Sequence, residues 1–569
     1  MRNDSTEGSD RRSLSARATN LLGRLRQWAA SMARTKFRTT GAVGQACADV
    51  ARLTQQRRYD EAVALAERLL PEYSGDLAFV KQARTTFSKA GALTRHLEAT
   101  RAQRLLADNP RIAAQEATAL GRWRETSAQW RPEVVGDPER ISPSTATGIL
   151  HLLKVSVPYR QSGYTMRSKY TLEGQRAVGL NPVAMTALGF PRSVGVPDTL
   201  DVEDVEGIRH IRLDPGPDYD LEGPYDRYLH DYVAAAAKHV RQLAPAVIHV
   251  HSGFRGYDSA LVGLALGRHF GIPVVYEVRG FFESLWTSDT QWSERSEIYR
   301  RRYNTENRCM VDAAAVVTLS ETMRAEIIAR GVAPEKVVVV PNGVDVDAFK
   351  PRSRSTALVD RYGLSGKFVF GYVSNLDHYR EGHETLIDAA VRLRHLGIDA
   401  VALIVGDGKR RGELERLARE KRVGDGVVFT GRVPHADVLD FYALMDVFVI
   451  PRVSERAARL VTPLKPFEAM AAGIPLVTSD LDALREITAE GDRGRYFHAG
   501  DAGSLATVLC DLQADAEGRA RLADRARRWV VAERQWSANG CRYADLYAKL
   551  LSGKAPDVEF RCVDELTDG

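Results

Sequence analysis

The chain has 569 residues, which is too long for one hydrophobic core, so we expect roughly three domains. Its composition, 44% hydrophobic and 27% charged, is typical of a globular protein. The net charge of +5 arises from segment 11–48, which carries eight basic residues and no acidic residue; the slightly acidic remainder excludes a nucleic-acid binder on charge grounds.

Residues 1–40 are predicted to form a tail with one basic amphipathic helix. Between positions 14 and 32, leucine, tryptophan and methionine recur near helical spacing, with arginines between them. One interpretation is a helix that lies on an anionic membrane surface through residues 11–40. The alternative is a solvated arm, or a helix packed on the next domain.

Residues 41–130 are rich in alanine, leucine and arginine and predict an all-helical domain. The segment RRYDEAVALAERLLPEY is typical of an amphipathic helix closed by Pro71, and it resembles half of a tetratricopeptide unit. Such domains commonly bind a protein partner or self-associate, and we expect one of these roles here. The Pro-, Ser- and charge-rich segment 131–147 is predicted to be a linker.

Beyond residue 147, ten short β-branched runs, from ILHLLKVS to IPLVTS, alternate with helical segments. Buried runs followed by helices are typical of parallel sheets covered on both faces. The predicted fold class is therefore α/β, with two doubly wound, Rossmann-like domains after the helical domain. We place them at 148–350 and 351–535, followed by a final helix and tail at 536–569. An acidic segment within the first of them, 198–226, is predicted to be a loop.

The cysteines and the apolar runs predict a cytoplasmic location. The longest apolar runs have only strand length, so we expect no transmembrane helix, and the polar N-terminus lacks a signal-peptide core. No two cysteines are close in sequence or have metal-ligand spacing, which is typical of reduced thiols; the five are Cys47, Cys309, Cys510, Cys541 and Cys562. Peripheral association with the inner face of the cell membrane stays open.

In the first α/β domain, three strand ends carry candidate site residues. Ligands of open parallel sheets bind beyond the carboxyl ends of the strands. Gly163 lies in a small-residue turn after the first strand, where its missing side chain lets a backbone N–H approach a ligand. His251 and Arg279 follow two successive strands and suit a pocket. An ordinary turn and a structural histidine are the alternatives.

In the second α/β domain, the segment TPLKPFEAMAAGIPLVTSD predicts a nucleotide pocket. Lys465 and Glu468 stand three residues apart where a loop becomes a helix. The helix N-terminus and the lysine favour a diphosphate, while two carboxylate oxygens on a fixed stem can bind adjacent hydroxyls of a ribose. The alternative for Glu468 alone is a helix cap. Arginines add positive charge nearby: Arg380, Arg452, Arg456 and Arg459.

The order and spacing of five segments within residues 147–552 resemble those of family 4 retaining glycosyltransferases of the GT-B fold. The segments are VVTLSETMRAEI, VVVVPNGVDVDAF, VALIVGDG, VVFTGRVPHADVLDFYALMDVFVIP and PFEAMAAGIPLVTSDLDALREI. The resemblance implies transfer of a hexose from a nucleoside diphosphate sugar to an acceptor hydroxyl with retention of configuration, and no metal or other cofactor. Together with the basic tail, it favours a glycan or lipid-linked acceptor from cell-surface polysaccharide or glycolipid synthesis.

The resemblance also implies roles for single residues. Glu468 matches the glutamate that binds the nucleotide ribose, and Gly163 matches the glycine loop beside the donor phosphates. Lys465, Arg279 and His251 are the expected catalytic residues. The other expected donor-binding residues are Ser374, Asn375, Arg380, Gly431, Val433, Arg452, Arg459 and Leu464.

Several family positions differ in this chain. Leu460 replaces the family's first glutamate, which contacts the transferred sugar, and Arg279 replaces a common active-site histidine. Pro463 stands where glycine is usual, and Ser374-Asn375 replaces the Gly-Arg of the phosphate loop. We expect Lys465, with a neighbouring arginine, to replace the lost phosphate cations. Two alternatives stay open: a catalytically inactive GT-B protein that acts as a scaffold through its helical domain, and a sugar-nucleotide 2-epimerase.

Overall fold

The computed structural model describes residues 41–197, 200–287 and 289–552. They form two compact units, one that ends at Trp123 and one that begins at Arg124. The basic tail and its predicted amphipathic helix lie outside the described residues. Across the ranges given, no helix is both long enough and apolar enough to span a bilayer.

The first unit is helical, as its alanine- and leucine-rich sequence predicts. Its helices are α1 Ala42–Gln55, α2 Tyr59–Leu69, α3 Leu77–Ala90, α4 Leu93–Leu106 and α5 Pro110–Glu125. Asp76 caps α3 by accepting hydrogen bonds from two backbone N–H groups of the first turn, and Gly91 ends α3 in the left-handed conformation. Ala66, Phe79 and Phe87 are fully buried in one core. The unit ends at Trp123, whereas the predicted boundary was residue 130.

The second unit opens with an eight-stranded sheet in the order β3-β4-β2-β1-β5-β6-β7-β8. Its strands are β1 Gly148–Leu153, β2 Asn181–Thr186, β3 Val202–Val205, β4 Ile208–Ile211, β5 Val247–His251, β6 Val274–Glu277, β7 Ala315–Thr318 and β8 Val337–Val339. The helices of this domain are α6 Gly163–Ala177, α7 Tyr225–Leu243, α8 Asp258–Phe270, α9 Thr290–Ser293, α10 Glu297–Asp312 and α11 Glu321–Ala329. Neighbouring strands are parallel except β3 and β4.

The prediction of a loop over 198–226 is wrong for its middle part. Strands β3 and β4 form an antiparallel hairpin at the edge of the sheet, and α7 begins at Tyr225. Glu206 and Gly207 close the hairpin with φ angles of 55° and 79°, as a tight two-residue turn requires. The acidic residues of β3 are unusual for a buried strand, so the sequence pattern did not predict one. An edge strand, however, can expose charged side chains to solvent.

The second α/β domain is built on a six-stranded parallel sheet in the order β11-β10-β9-β12-β13-β14. Its strands are β9 Phe368–Val373, β10 Ala400–Val405, β11 Val427–Gly431, β12 Val447–Ile450, β13 Leu476–Ser479 and β14 Arg495–Phe497. Its helices are α12 Thr356–Tyr362, α13 His383–His395, α14 Arg411–Glu420, α15 Val438–Tyr442, α16 Arg456–Leu460, α17 Lys465–Ala471, α18 Asp482–Thr488, α19 Ala502–Ala514 and α20 Ala516–Glu533.

The last helix, α21 Trp536–Leu551, returns to the first α/β domain and packs on α6. Two glycines allow the close approach of the helices: a methyl group added to Gly540 would lie 2.3 Å from the carbonyl oxygen of Gly174. The turn after β8 joins the two domains, and there the Asn342 side-chain amide donates to the carbonyl of Thr462 at 2.9 Å. These contacts set the carboxyl ends of both sheets around a common cleft, where ligands of such sheets bind.

Candidate active site

Lys465 and Glu468 form an ion pair at the start of α17. The Lys465 ammonium lies 3.0 Å from Glu468 Oε2, and the Tyr442 hydroxyl donates to the same oxygen at 2.8 Å. The spacing of three residues places both side chains on one face of the helix. Their side chains remain 31% and 13% exposed, so opposite charges are presented together at one wall of the cleft, which we call the donor wall.

Gly163 faces the start of α17 across the cleft. Ser162 caps α6 in a capping box with Thr165, which fixes Gly163 as the first residue of the helix. A methyl group at Gly163 would lie 3.4 Å from Leu464 Cδ1. The predicted glycine turn and the predicted donor helix are thus neighbours, with Leu464 between the two domains.

Arg452 is held by Glu381 instead of projecting freely into the cleft. Its Nε and Nη2 donate to the two carboxylate oxygens of Glu381 at 3.2 and 3.3 Å, and its Nη1 donates to the carbonyl of Val461 at 3.1 Å. Burial alone would raise the pKa of Glu381, but the Arg452 charge prevails and the pKa falls to about 2. The Glu381 carboxylate therefore fixes the segment that leads into α17.

The predicted phosphate loop also uses its polar groups internally. Ser374 Oγ lies 2.6 Å from His383 Nε2, and Asn375 Oδ1 accepts from the backbone N–H of Asp377 at 2.6 Å. Arg380 Nε donates to Glu381 at 3.3 Å. Gly382 has a φ of 70°, and a methyl group there would lie 1.8 Å from the carbonyl oxygen of Pro451, so only glycine fits.

The remaining predicted donor-binding residues are Gly431, Val433 and Arg459. Gly431 ends β11 with a φ of 76°, and its carbonyl accepts from the Gly406 N–H at 3.1 Å. Val433 is partly buried against the core of the donor domain. Arg459 is exposed and makes no ion pair with any described residue.

His251 and Arg279 lie in a buried network beneath the opposite wall, which we call the acceptor wall. Arg279 Nη2 donates to His251 Nδ1 at 2.6 Å, and His251 Nε2 lies 2.9 Å from His151 Nδ1. His151 Nε2 in turn lies 2.9 Å from Gln175 Oε1. Because a side-chain amide oxygen only accepts, this chain is satisfied by neutral histidines that each donate from Nε2. Burial, reinforced at His251 by Arg279, lowers the pKa of His151 and of His251 well below the ordinary value.

Glu277 is the anion of this network. Its Oε1 accepts from Arg279 Nε at 2.7 Å and from Arg167 Nε at 2.9 Å, and its Oε2 accepts from the Tyr543 hydroxyl of α21 at 2.6 Å. Burial would raise the pKa of Glu277, but the two guanidinium groups hold it well below its usual value. Arg167 extends the network to the interdomain turn by donating to Asn342 Oδ1 at 3.0 Å.

Arg279 commits four of its five N–H groups to protein partners. Its Nη1 donates to the Tyr164 carbonyl at 2.9 Å and to Ser168 Oγ at 2.7 Å, in addition to the contacts of Nε and Nη2. His251 is fully buried. The geometry therefore gives both residues a positioning role: they hold the first turn of α6, and with it Gly163, against β5 and β6.

Three histidines of the network also have the chemistry of metal ligands. Their candidate ligand atoms, from His151, His249 and His251, all lie within 4.8 Å of one another. However, the ring nitrogens of His151 and His251 are engaged in the hydrogen-bond chain, and two guanidinium groups adjoin the cluster through Glu277. The set fits a hydrogen-bond network better than a cation site.

Three residues of the cleft were not predicted from the sequence: Lys154, Glu381 and Tyr442. Tyr442 and Glu381 act on partners far along the chain, which no local pattern reveals. Lys154 did leave a signal, since it is the single charged residue in the run ILHLLKVS that forms β1 and its end.

The comparisons with known proteins agree with this architecture. Residues 162–343 match the family described as "Glycosyl transferase 4-like domain", and residues 367–515 match "Glycosyl transferases group 1". Together the two matches cover more than half of the chain.

Two glycosyltransferases are among the proteins with similar sequences. A GDP-mannose-dependent alpha-(1-6)-phosphatidylinositol monomannoside mannosyltransferase of Mycolicibacterium smegmatis is 33% identical over 218 residues, which are 38% of this chain and 56% of the relative. The alpha-D-kanosaminyltransferase of Streptomyces kanamyceticus is 25% identical over 332 residues, 56% of this chain and 81% of the relative. The chain thus aligns with only about half of the mycobacterial enzyme.

Solved structures share the fold. Sucrose-phosphate synthase from Thermosynechococcus elongatus superposes with a TM-score of 0.58 at 22% identity, over 72% of this chain and 100% of that one. Anabaena HepE, solved in complex with UDP and glucose, superposes with a TM-score of 0.54 at 17% identity, over 70% of this chain and 99% of that one. The two α/β domains therefore have the GT-B fold.

Proposed function

Because the chain belongs to the 4-like and group 1 glycosyltransferases, we propose that it moves a hexose from a nucleoside diphosphate sugar to an acceptor hydroxyl with retention of configuration. One observation carries the proposal: the Lys465–Glu468 pair lies at the start of α17, where Leu464 meets Gly163 of the other domain. A donor in this cleft would place its diphosphate at Lys465 and its ribose hydroxyls at Glu468.

The proposed mechanism uses Lys465 as the charge that stabilises the leaving group. When the bond between the anomeric carbon and the diphosphate breaks, negative charge grows on the phosphate oxygen. A fixed cation at this position lowers the barrier by on the order of 3 kcal/mol. The acceptor oxygen bonds to the same face of the sugar, and its proton passes to the leaving phosphate. No metal enters this scheme, and closure of the domains would exclude water.

We propose an acceptor from cell-surface polysaccharide or glycolipid synthesis. The mycobacterial relative acts on a phosphatidylinositol mannoside, which is a lipid-linked acceptor. The basic segment 11–40 supports a site of action at an anionic membrane surface, in the cytoplasm. The helical unit is proposed to bind a protein partner or a second copy of the chain.

A panel of UDP-, GDP- and ADP-sugars, with and without a membrane extract as acceptor, tests the proposal. We expect transfer from one donor. Transfer should be lost in Glu468→Gln, because the amide has one acceptor oxygen for the vicinal hydroxyls where the carboxylate has two. Glu490→Gln is the matched control, since Glu490 lies just after α18 and forms an exposed ion pair with Arg485. Interconversion of the donor sugar without acceptor would instead indicate an epimerase.

A specific observation also supports the scaffold alternative. Leu460, at the position of the family's first glutamate, packs against the apolar core of the first α/β domain. The polar contact to the transferred sugar is therefore replaced by an apolar interdomain contact. Nucleotide binding without transfer or hydrolysis on any acceptor of the panel would support the scaffold.

A further inference from the structure

Lys154 is a second cation of the cleft, on the acceptor wall. It directly follows β1, at the point where the order of the first sheet reverses between β1 and β5, which is the usual position of a ligand in such sheets. Its ammonium lies 4.5 Å from the centre of the Tyr164 ring and 4.7 Å from that of the Phe282 ring. The two rings thus flank the ammonium and fix its place.

The Lys154 ammonium has more N–H donors than it has acceptors among the described residues. Among described residues its only acceptor is the carbonyl of Gly253, at 3.0 Å, whereas an ammonium can donate three hydrogen bonds. No carboxylate within residues 41–197, 200–287 and 289–552 lies at ion-pair distance from it. Most buried or half-buried cations nearby are paired, as Arg167 and Arg279 are with Glu277. A half-buried lysine without an anion is costly unless a ligand supplies one.

The surroundings of Lys154 belong to the cleft rather than to the core. Tyr164 follows Gly163, which faces Leu464 of the donor wall. A methyl group at Gly280 would lie 3.5 Å from the Phe282 ring and 3.7 Å from Val461 of the second α/β domain. The ammonium therefore lies on the wall opposite Lys465.

Two exposed apolar side chains extend from the same loops. Phe254 follows Gly253, the partner of Lys154, and Leu285 follows Phe282 in a turn; each keeps 49% of its surface exposed. A cation beside an apolar rim suits an amphipathic molecule with a phosphate group. This favours the acceptor over the donor as the source of the anion.

We infer that Lys154 binds a phosphate group in the cleft, supplied by a phosphate-bearing acceptor or by the donor diphosphate. The identity of these two sources rests on the proposed function. Anion binding itself can be measured without turnover. Lys154 acts here as a binding residue of the acceptor wall, complementary to Lys465.

The protonation of Lys154 offers a direct readout. The pKa of Lys154 is lowered to about 8, chiefly by burial. The positive charge of Arg279 also lowers this pKa, and the negative charge of Asp258 partly offsets both effects. The charged groups facing it are thus Asp258 from α8 and Arg279 from the end of β6, with the Tyr164 ring from α6. A bound phosphate would raise the pKa and slow acylation of the amine.

The experiment is competitive acetylation of the full chain at about pH 8, with peptide mapping by mass spectrometry. The probes are inorganic phosphate, glycerol 3-phosphate, UDP and GDP, and exposed Lys238 of α7 is the internal reference. We expect at least one probe to slow labelling of Lys154 threefold or more relative to Lys238. Equal labelling rates with all probes would overturn the inference.

Variants identify the source of the phosphate. Protection by glycerol 3-phosphate, with nucleoside diphosphate affinity unchanged in Lys154→Met, supports the acceptor. Protection by UDP or GDP, with affinity lost tenfold in Lys154→Met and restored in Lys154→Arg, supports the donor. A Lys154→Met variant that folds and leaves both affinities unchanged overturns the inference, and Lys238→Met controls for loss of surface charge. If the chain transfers no sugar but still binds phosphate at Lys154, the probes would still protect Lys154 from acetylation.

Discussion

The two walls of the cleft use their polar residues in different ways. On the donor wall, Lys465 and Glu468 are partly exposed and form an ion pair, and Glu468 also accepts from Tyr442. Beneath the acceptor wall, His251 and Arg279 are buried and each contacts partners from other elements of the fold. The position of a polar residue directly after a strand is therefore not enough to make it a ligand-binding residue. Its exposure and the number of its protein partners decide between binding and positioning.

The largest effect is expected from Glu277→Gln. The neutral amide leaves two buried guanidinium groups, Arg167 and Arg279, without their anion, which costs about 3–5 kcal/mol. Urea denaturation should show a correspondingly lower midpoint. Glu490→Gln, at an exposed ion pair, should leave the midpoint unchanged. Equal midpoints for the two variants would show that the network does not stabilise the fold.

Lys465→Met should separate activity from stability. The loss of one cation at the leaving group is expected to slow transfer roughly 100-fold, equivalent to about 3 kcal/mol. The urea midpoint should hardly change, since the ion pair with Glu468 is partly exposed. Lys421→Met, which removes an exposed ion pair with Asp388 in the same domain, should keep full activity. Unchanged donor kinetics in Lys465→Met would contradict the assignment.

The acceptor-wall network should make the fold sensitive to acid. Burial lowers the pKa of His151, His249 and His251, so each stays neutral in the folded chain but takes up a proton in the unfolded chain below about pH 6.5. Stability is therefore lost as the pH falls below that value, by up to about 1.4 kcal/mol per pH unit for each histidine. Glu277, whose pKa is depressed, keeps its contribution until much lower pH.

Thermal midpoints between about pH 7.5 and pH 5.5 test this slope. His151→Asn should reduce it, whereas His498→Asn should not, because His498 is 79% exposed. A midpoint that rises toward acid would contradict neutral histidines in the network.

The smallest effect is expected from chelation. The proposed transfer draws on Lys465 for charge stabilisation, so EDTA should leave the rate unchanged. A loss of transfer that Mg²⁺ or Mn²⁺ restores would show that a cation shares this role. A loss restored only by Zn²⁺, together with a lower thermal midpoint, would point to the three histidines.

Much of the fold could be predicted because its signals are local. All ten β-branched runs form strands, and a helix begins at Lys465, where the sequence predicted that a loop becomes a helix. The strands that were not predicted, β2, β3, β4 and β14, are short, acidic or interrupted by proline. Their strand state depends on pairing with the sheet rather than on their own sequence.

The buried network could not be predicted because its contacts are long-range. His151 and His251 are 100 residues apart, and Glu277 and Tyr543 are 266 residues apart. The sequence does contain one local sign of the network: His249 and His251 are polar residues within a strand whose other members are apolar. Without the fold, the residue pattern did not separate a structural histidine, the alternative for His251, from the catalytic one that the family resemblance implied.

The most direct test of the difference between the walls is the steady-state kinetics of His251→Asn, measured well below its melting temperature. Asparagine can still accept from Arg279, so we expect kcat and the donor KM to stay within about tenfold of the wild-type values while the thermal midpoint falls. A variant with an unchanged midpoint and abolished turnover would contradict the positioning role and place His251 in contact with substrate.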